Sequence, residues 1–250
     1  MEILQCIGYL GAFVIGTIMG ITGCGGSVIA VPVFSYLFLM NMYSTTTYSL
    51  FVVGVSALAG VLLKTKTGKI DWQLTTFFAL PIFITMFVVR KFLLPSIPDE
   101  LLRISDITVT RDLAIMVLFG ILLVTAAYFM ITDEKVKLSR SSDQKNKLFY
   151  VLLLSMGIGL VTGITGTGGG FMIVPVLVVF LKLPIKKAIV TSLLIIAIKS
   201  FIGFIGDIGN IDVDWTLLLS FTGISLTGMI IGIYSSNFIA EKNLKKVLDI

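Results

Sequence analysis

The chain has 250 residues, of which 56% are apolar and 13% charged, and its mean hydropathy is +1.04. A soluble domain carries about 25% charged residues, so this composition excludes an ordinary soluble enzyme and any disordered or collagen-like chain. The net charge of +5 raises nucleic-acid binding as a reading, but histidine is absent, and with it the commonest general base and metal ligand.

A helix needs about 20 mostly apolar residues to cross a bilayer core. Seven stretches qualify in chain order: Ile3–Ile21, Ser44–Leu63, Gln73–Val89, Leu113–Ile131, Leu148–Gly163, Ala188–Ile205 and Trp215–Tyr234. Two shorter apolar runs, Val28–Met40 and Phe171–Leu181, each follow a glycine cluster. The first stretch has Glu2 before it and no basic leader, so it reads as a span and not as a signal peptide. The expected class is an all-α, multi-pass membrane protein. Cys6 and Cys24 lie inside apolar stretches and make neither a disulfide framework nor a zinc site. Basic residues sit in short loops between spans, which marks them as topology charges and removes nucleic acid as a partner.

Shifted by 143 residues, the chain matches itself. Gly20-Ile21-Thr22-Gly23-Cys24-Gly25-Gly26 aligns with Gly163-Ile164-Thr165-Gly166-Thr167-Gly168-Gly169, and Val31-Pro32-Val33 with Val174-Pro175-Val176. The same shift pairs Asp71-Trp72 with Asp214-Trp215, the two tryptophans of the chain. Residues 1–131 and 148–250 therefore read as two copies of one unit, joined by the linker 132–147. The counterpart of Leu113–Ile131 would fall at 256–274, so the second copy lacks its last span within this sequence.

Parity decides whether the copies are parallel or inverted. If Ile3–Met40 crosses once, loop Lys and Arg divide 8 against 10 between the two sides. If it forms two legs with a glycine-rich turn, they divide 14 against 4, with Arg90, Lys91, Arg103 and Arg111 on the poorer side. The positive-inside rule selects the second arrangement. It predicts inverted repeats, an outside N-terminus and a cytoplasmic 132–147 loop, with the glycine breaks meeting near the membrane midplane.

Gly16-x-x-x-Gly20 and Gly159-x-x-x-Gly163 suit close helix approach. The glycine runs beyond them break the helix, and broken backbone at membrane depth is tolerated only inside protein or along a wet cavity. Half-helix N-termini in inverted repeats favour an anionic substrate, although each cluster alone reads equally as packing with a kink. Lys199 lies mid-span, where a charge is expected to serve a ligand or counter-ion; snorkelling or capping is the alternative. The candidate site is Thr22, Gly23, Cys24, Gly25, Gly26 and Ser27 with Thr165, Gly166, Thr167, Gly168, Gly169, Gly170 and Lys199. The hydroxyls of Thr22, Ser27, Thr165 and Thr167 could bond oxyanions or their own helices. Cys24 reads as a small buried filler in preference to a reactive thiol. Asp71 and Asp214 read as N-caps, and Asp207 and Asp212 as solvated loop acids, with no acid buried mid-span.

At these motifs the chain resembles the TauE/SafE family of membrane transporters, over essentially its whole length. The resemblance implies transport, with export the expected direction, of small sulfur-containing anions such as sulfite or organosulfonates, or of sulfoacetate-like carboxylates. Members are usually described with seven or eight spans. An anion channel is the nearest alternative. A membrane enzyme would have to rest on Cys24 or Lys199 alone, and a scaffold would bind anions without moving them. No cofactor is expected. The expected partners are a small anion and the lipid bilayer, with a homodimer left open.

Overall fold

The computed structural model describes residues 2–23, 26–64, 72–98, 100–104, 107–131, 144–166, 173–174, 176–180 and 183–236. Its helices begin with α1 (Glu2–Thr22) and α2 (Gly26–Pro32), the latter prolonged by a π-helical turn over Val33–Leu37. There follow α3 (Met42–Lys64) and α4 (Trp72–Val88), which runs through a second π-helical turn, Val89–Leu93, into the short α5 (Leu94–Ser96). After a hairpin come α6 (Arg111–Ile131), α7 (Gln144–Thr165), a third π-helical turn at Val176–Phe180, α8 (Ile185–Asp207) and α9 (Trp215–Ser236). Each of the seven predicted spans lies within one of these helices or its π-helical extension.

Five helices among the described residues are long and apolar enough to cross a membrane: Gln5–Thr22, Met42–Lys64, Thr75–Ser96, Lys187–Asp207 and Trp215–Ser236. Their outward faces carry bare apolar side chains, with Leu10 67% and Leu62 68% exposed. Water would not tolerate so extensive an apolar surface, whereas lipid tails are its natural solvent. The protein is a multi-pass membrane protein.

One element departs from the all-α expectation. Glu100–Ile104 (β1) and Ile107–Thr110 (β2) pair antiparallel, Arg103 opposite Thr108 and Ile104 opposite Ile107, with a bulge between Glu100 and Leu102. The segment Ile107-Thr-Val-Thr110 is wholly β-branched, a composition that favours strand over helix.

The innermost helices, α3 and α8, pack on each other, and both are 23 residues long and offset by 143 in the chain. Around them α1 pairs with α9, and α7 with α4. Small residues make the first pairing. A methyl group at Gly16 would lie 2.8 Å from the backbone nitrogen of Met229, and one at Gly20 2.8 Å from that of Ile233. Gly228 and Gly232 answer from α9, where added methyls would lie 3.0 Å from the carbonyl carbons of Phe13 and Thr17. Two small-x-x-x-small faces therefore meet backbone to backbone. In the second pairing Gly159 faces the Ile82 carbonyl at 2.8 Å and Gly163 faces Val89 at 2.9 Å, on the same measure.

The expected two-legged hairpin is present in the first half. Gly26 abuts Ile15 and Met19, Gly11 abuts Val33, and Gly8 abuts Phe38, so the second leg runs back along α1 toward its start. Local geometry then recurs at the 143-residue offset. Gly23 N–H donates to the Met19 carbonyl (2.9 Å), as Gly166 N–H does to Thr162 (3.0 Å). Met40 N–H donates to Phe34 (3.3 Å), as Leu183 N–H does to Leu177 (3.1 Å). The Asp214 carboxylate accepts from the N–H groups of Thr216 (3.0 Å) and Leu217 (3.1 Å), capping α9 as its position predicted. Asp71 lies outside the described residues.

Gly16→Val and Gly232→Val should each lower the thermal stability of the detergent-solubilised protein, by about 3 kcal/mol or more, because the opposing atoms are backbone and cannot repack. Gly223→Ala, at a position with nothing within 4 Å, is the control and should leave the melting temperature unchanged.

Candidate functional site

Among the described residues, each glycine break holds a glycine with positive φ, Gly23 at 67° and Gly166 at 61°. A side chain is strained there, and neighbours also fill the space where a Cβ would stand. For Gly23 that neighbour is Ile189 of α8; for Gly166 it is Thr46 of α3 together with Arg90. Each break therefore rests on a helix from the other half of the chain. Ser192 Oγ of α8 also donates to the Gly23 carbonyl at 3.1 Å, satisfying a backbone group that the break leaves open.

Of the expected site residues, Thr22 and Thr165 turn their hydroxyls back onto their own helices, donating to Ile18 (2.8 Å) and Val161 (2.9 Å). Gly26 opens α2 and packs against α1, while Ser27 follows it with a side chain outside the described residues. Cys24, Gly25, Thr167, Gly168, Gly169 and Gly170 also lie outside them. Lys199 is fully buried within α8, and its ammonium has no hydrogen-bond partner among the described residues. Ser56, its counterpart in the first copy, shares a hydrogen bond with Ser225 at 3.1 Å.

A charged cluster that the sequence did not announce stands beside the second break. Arg90 Nη1 forms a 2.7 Å ion pair with Asp207 Oδ2, and neither side chain is exposed at all. The same Nη1 donates to Thr46 Oγ1 at 3.0 Å. The Asp207 carboxylate also accepts from Tyr43 (3.1 Å) and Thr47 (2.8 Å), so α3, α4 and α8 converge on it. Nε and Nη2 of Arg90 are buried without a partner among the described residues, and Nη2 lies against Gly166.

Three expectations are corrected here. Arg90 is not a loop charge, because the π-helical turn carries the α4 span past it into the protein interior. Asp207 is not a solvated loop acid but the buried last residue of α8, held there by its cationic partner. The sequence also reads Lys199 as the only basic residue deep in a span, and buried Arg90 overturns that. The signal available in the sequence was the apolar stretch on both sides of Arg90-Lys91, which lets the span continue instead of ending at the charges.

A buried ion pair beside an interrupted helix, inside a bundle with a lipid-facing surface, fits the class of membrane transporters. Residues 8–250 match the family described as Sulfite exporter TauE/SafE, and the chain belongs to that family. It is a transporter and not an enzyme. Among its relatives is a probable membrane transporter protein of Xylella fastidiosa, 25% identical over 92% of this chain and 84% of its own length. Another, from Methanocaldococcus jannaschii, is 25% identical over 94% of this chain and 88% of its own length. The probable membrane transporter YdhB of Bacillus subtilis is 23% identical over 94% and 92%. No solved structure matches the chain.

Breaking the Arg90–Asp207 pair should be costly. Asp207→Ala leaves a buried guanidinium uncompensated and should destabilise the protein by about 3–5 kcal/mol. The double variant Arg90→Met with Asp207→Leu should recover most of that loss, as read by thermal unfolding in detergent.

Proposed function

We propose that the protein is a secondary transporter of small sulfur-containing anions such as sulfite or organosulfonates. In this reading it works by alternating access around the two glycine breaks, in the direction of export. The observation that carries the reading is Lys199, a fully buried ammonium in the middle of a span with no protein partner among the described residues. Such a group is costly in a membrane unless a counter-charge visits it. An anion that arrives, binds and leaves is such a visitor. The substrate-binding set is Lys199 with Thr22, Gly23, Cys24, Gly25, Gly26 and Ser27 of the first break, and Thr165, Gly166, Thr167, Gly168, Gly169 and Gly170 of the second.

The two breaks belong to inverted repeats, 1–131 and 148–250, linked through 132–147. Several features support this. The hydrogen bonds at the breaks recur at one offset, and the outer helices exchange partners between halves. The two-legged hairpin of the first half supports the odd parity per unit that places most loop Lys and Arg on one side. That side is the cytoplasm, with the N-terminus outside. Two such halves rocking about a shared pair, α3 and α8, would expose the breaks alternately.

Proteoliposomes holding the native protein should show saturable sulfite flux that exceeds sulfate flux. Lys199→Met should abolish that flux while raising the melting temperature, because it removes an uncompensated buried charge. Equal flux in native protein and variant would remove Lys199 from the site, and non-saturating flux would indicate a channel. Orientation is checked separately. With Cys6 and Cys24 replaced by serine, a single cysteine introduced at Leu138 should react with an impermeant maleimide only after the cells are opened.

A further inference from the structure

Arg90 carries an inference that reaches beyond Lys199 and the glycine breaks, though it rests on the reading as an anion transporter. A guanidinium has five N–H donors in a fixed plane, and one edge, Nε–H with the Nη2–H beside it, presents two parallel bonds. In this protein the opposite side of the group is already engaged: Nη1 is held by Asp207 at 2.7 Å and by Thr46 at 3.0 Å. The parallel edge is the one left without partners among the described residues, although the side chain is completely buried.

A buried donor with no acceptor costs free energy, more so when it is charged. A protein that merely needed to neutralise Arg90 could have used both oxygens of Asp207 across that edge. Instead the carboxylate is turned so that it takes Nη1 alone, and its remaining capacity goes to Tyr43 and Thr47 of α3. Asp207 and Thr46 thus fix the plane of the guanidinium. Gly166 completes the arrangement, because any larger residue would place its Cβ on Nη2 and on Thr46. The positive φ of Gly166 serves the turn, and its missing side chain serves the arginine.

We infer that Arg90 is a substrate-binding residue of the second glycine break and grips two oxygens of one oxyanion through Nε and Nη2. The ligand class is a small anion with two oxygens on one atom: sulfite, a sulfonate or a carboxylate. A halide offers one acceptor and cannot span the edge. Lysine, a point charge, makes no such distinction. Lys199 then supplies attraction and Arg90 supplies shape.

The experiment measures thermal stabilisation of the purified, full-length protein by sulfite, methanesulfonate, formate and chloride, titrated at constant ionic strength. The native protein should be stabilised saturably by the three oxyanions and at least tenfold more weakly by chloride. Arg90→Lys keeps the charge and a partner for Asp207 but loses the two-bond edge. Its apparent affinity for the oxyanions should fall about ten-fold or more, toward that for chloride.

Equal stabilisation by chloride and methanesulfonate in the native protein would overturn the inference, as would unchanged oxyanion affinity in Arg90→Lys. If Arg90→Lys does not fold, the native anion series decides alone. Flux of sulfite in native proteoliposomes is scored independently. A protein that moves sulfite but shows no preference for two-oxygen anions refutes the Arg90 assignment and leaves the transporter reading standing. One that binds oxyanions through Arg90 without moving them refutes the transporter reading instead.

Discussion

An interrupted helix inside a membrane leaves backbone groups that lipid cannot bond, so the protein itself must close around each interruption. Here the closure is reciprocal. The break at Gly23 leans on Ile189 and on Ser192 of α8, and the break at Gly166 leans on Thr46 of α3 and on Arg90. Each half thus lends a helix to the other's break, while the first break is also braced from its own side, where Lys64 Nζ donates to the Gly20 carbonyl at 2.8 Å. The central packing of α3 on α8, the exchange of α1 and α7 between opposite partners, and the burial of charge all follow from this arrangement. Each brings a helix of one half to the broken segment of the other.

Electrostatics sharpen the picture. Two cations, Arg90 and Lys199, are fully buried, against one buried anion, Asp207, among the described residues. Asp207 is saturated by Arg90, Tyr43 and Thr47. What remains is the free edge of Arg90, whose donors are already oriented by Asp207 and Thr46. Orientation that exists before the ligand arrives need not be supplied by binding, which is the sense in which such a site is preorganised. The threonine hydroxyls at the breaks belong to a different category. By bonding the i−4 carbonyls of their own helices they hold the last turns of α1 and α7 together at the point where the regular ladder ends.

Much of the framework was legible from pattern alone. Span lengths follow from hydropathy, because lipid imposes one dominant requirement over some twenty residues at a time. The doubled motif gave the position of both breaks, and their positive-φ glycines stand where the glycine runs predicted interruption. The hairpin at 100–110 is hidden for a physical reason, since strands of five and four residues leave little trace in a hydropathy pattern set by spans of some twenty. The apolar residues on both sides of Arg90-Lys91 signal that the span continues, but they do not name the partner of Arg90. Arg90 and Asp207 are 117 residues apart, and Asp207 closes an apolar run, where a charge ordinarily marks the membrane surface. Only the π-helical continuation of α4 and the convergence of three helices turn two surface charges into a buried pair. Residue-type reasoning found Lys199 because its flanks are apolar on both sides.

The glycine faces of α1 and α9 have a consequence for how the molecule is made. Gly16 and Gly20 enter the bilayer with the first span, while Gly228 and Gly232, which complete their interface, lie more than 200 residues later. At synthesis rates of about 5–20 residues per second, α1 waits on the order of ten to forty seconds for its partner. During that interval its flat, small-residue face is open to any neighbouring helix. The fully apolar sides of α1 give it lipid solubility in the meantime, so waiting is harmless in energy but hazardous in partner choice. Closure of the α1–α9 interface is therefore paced by the synthesis of α9, the last helix among the described residues.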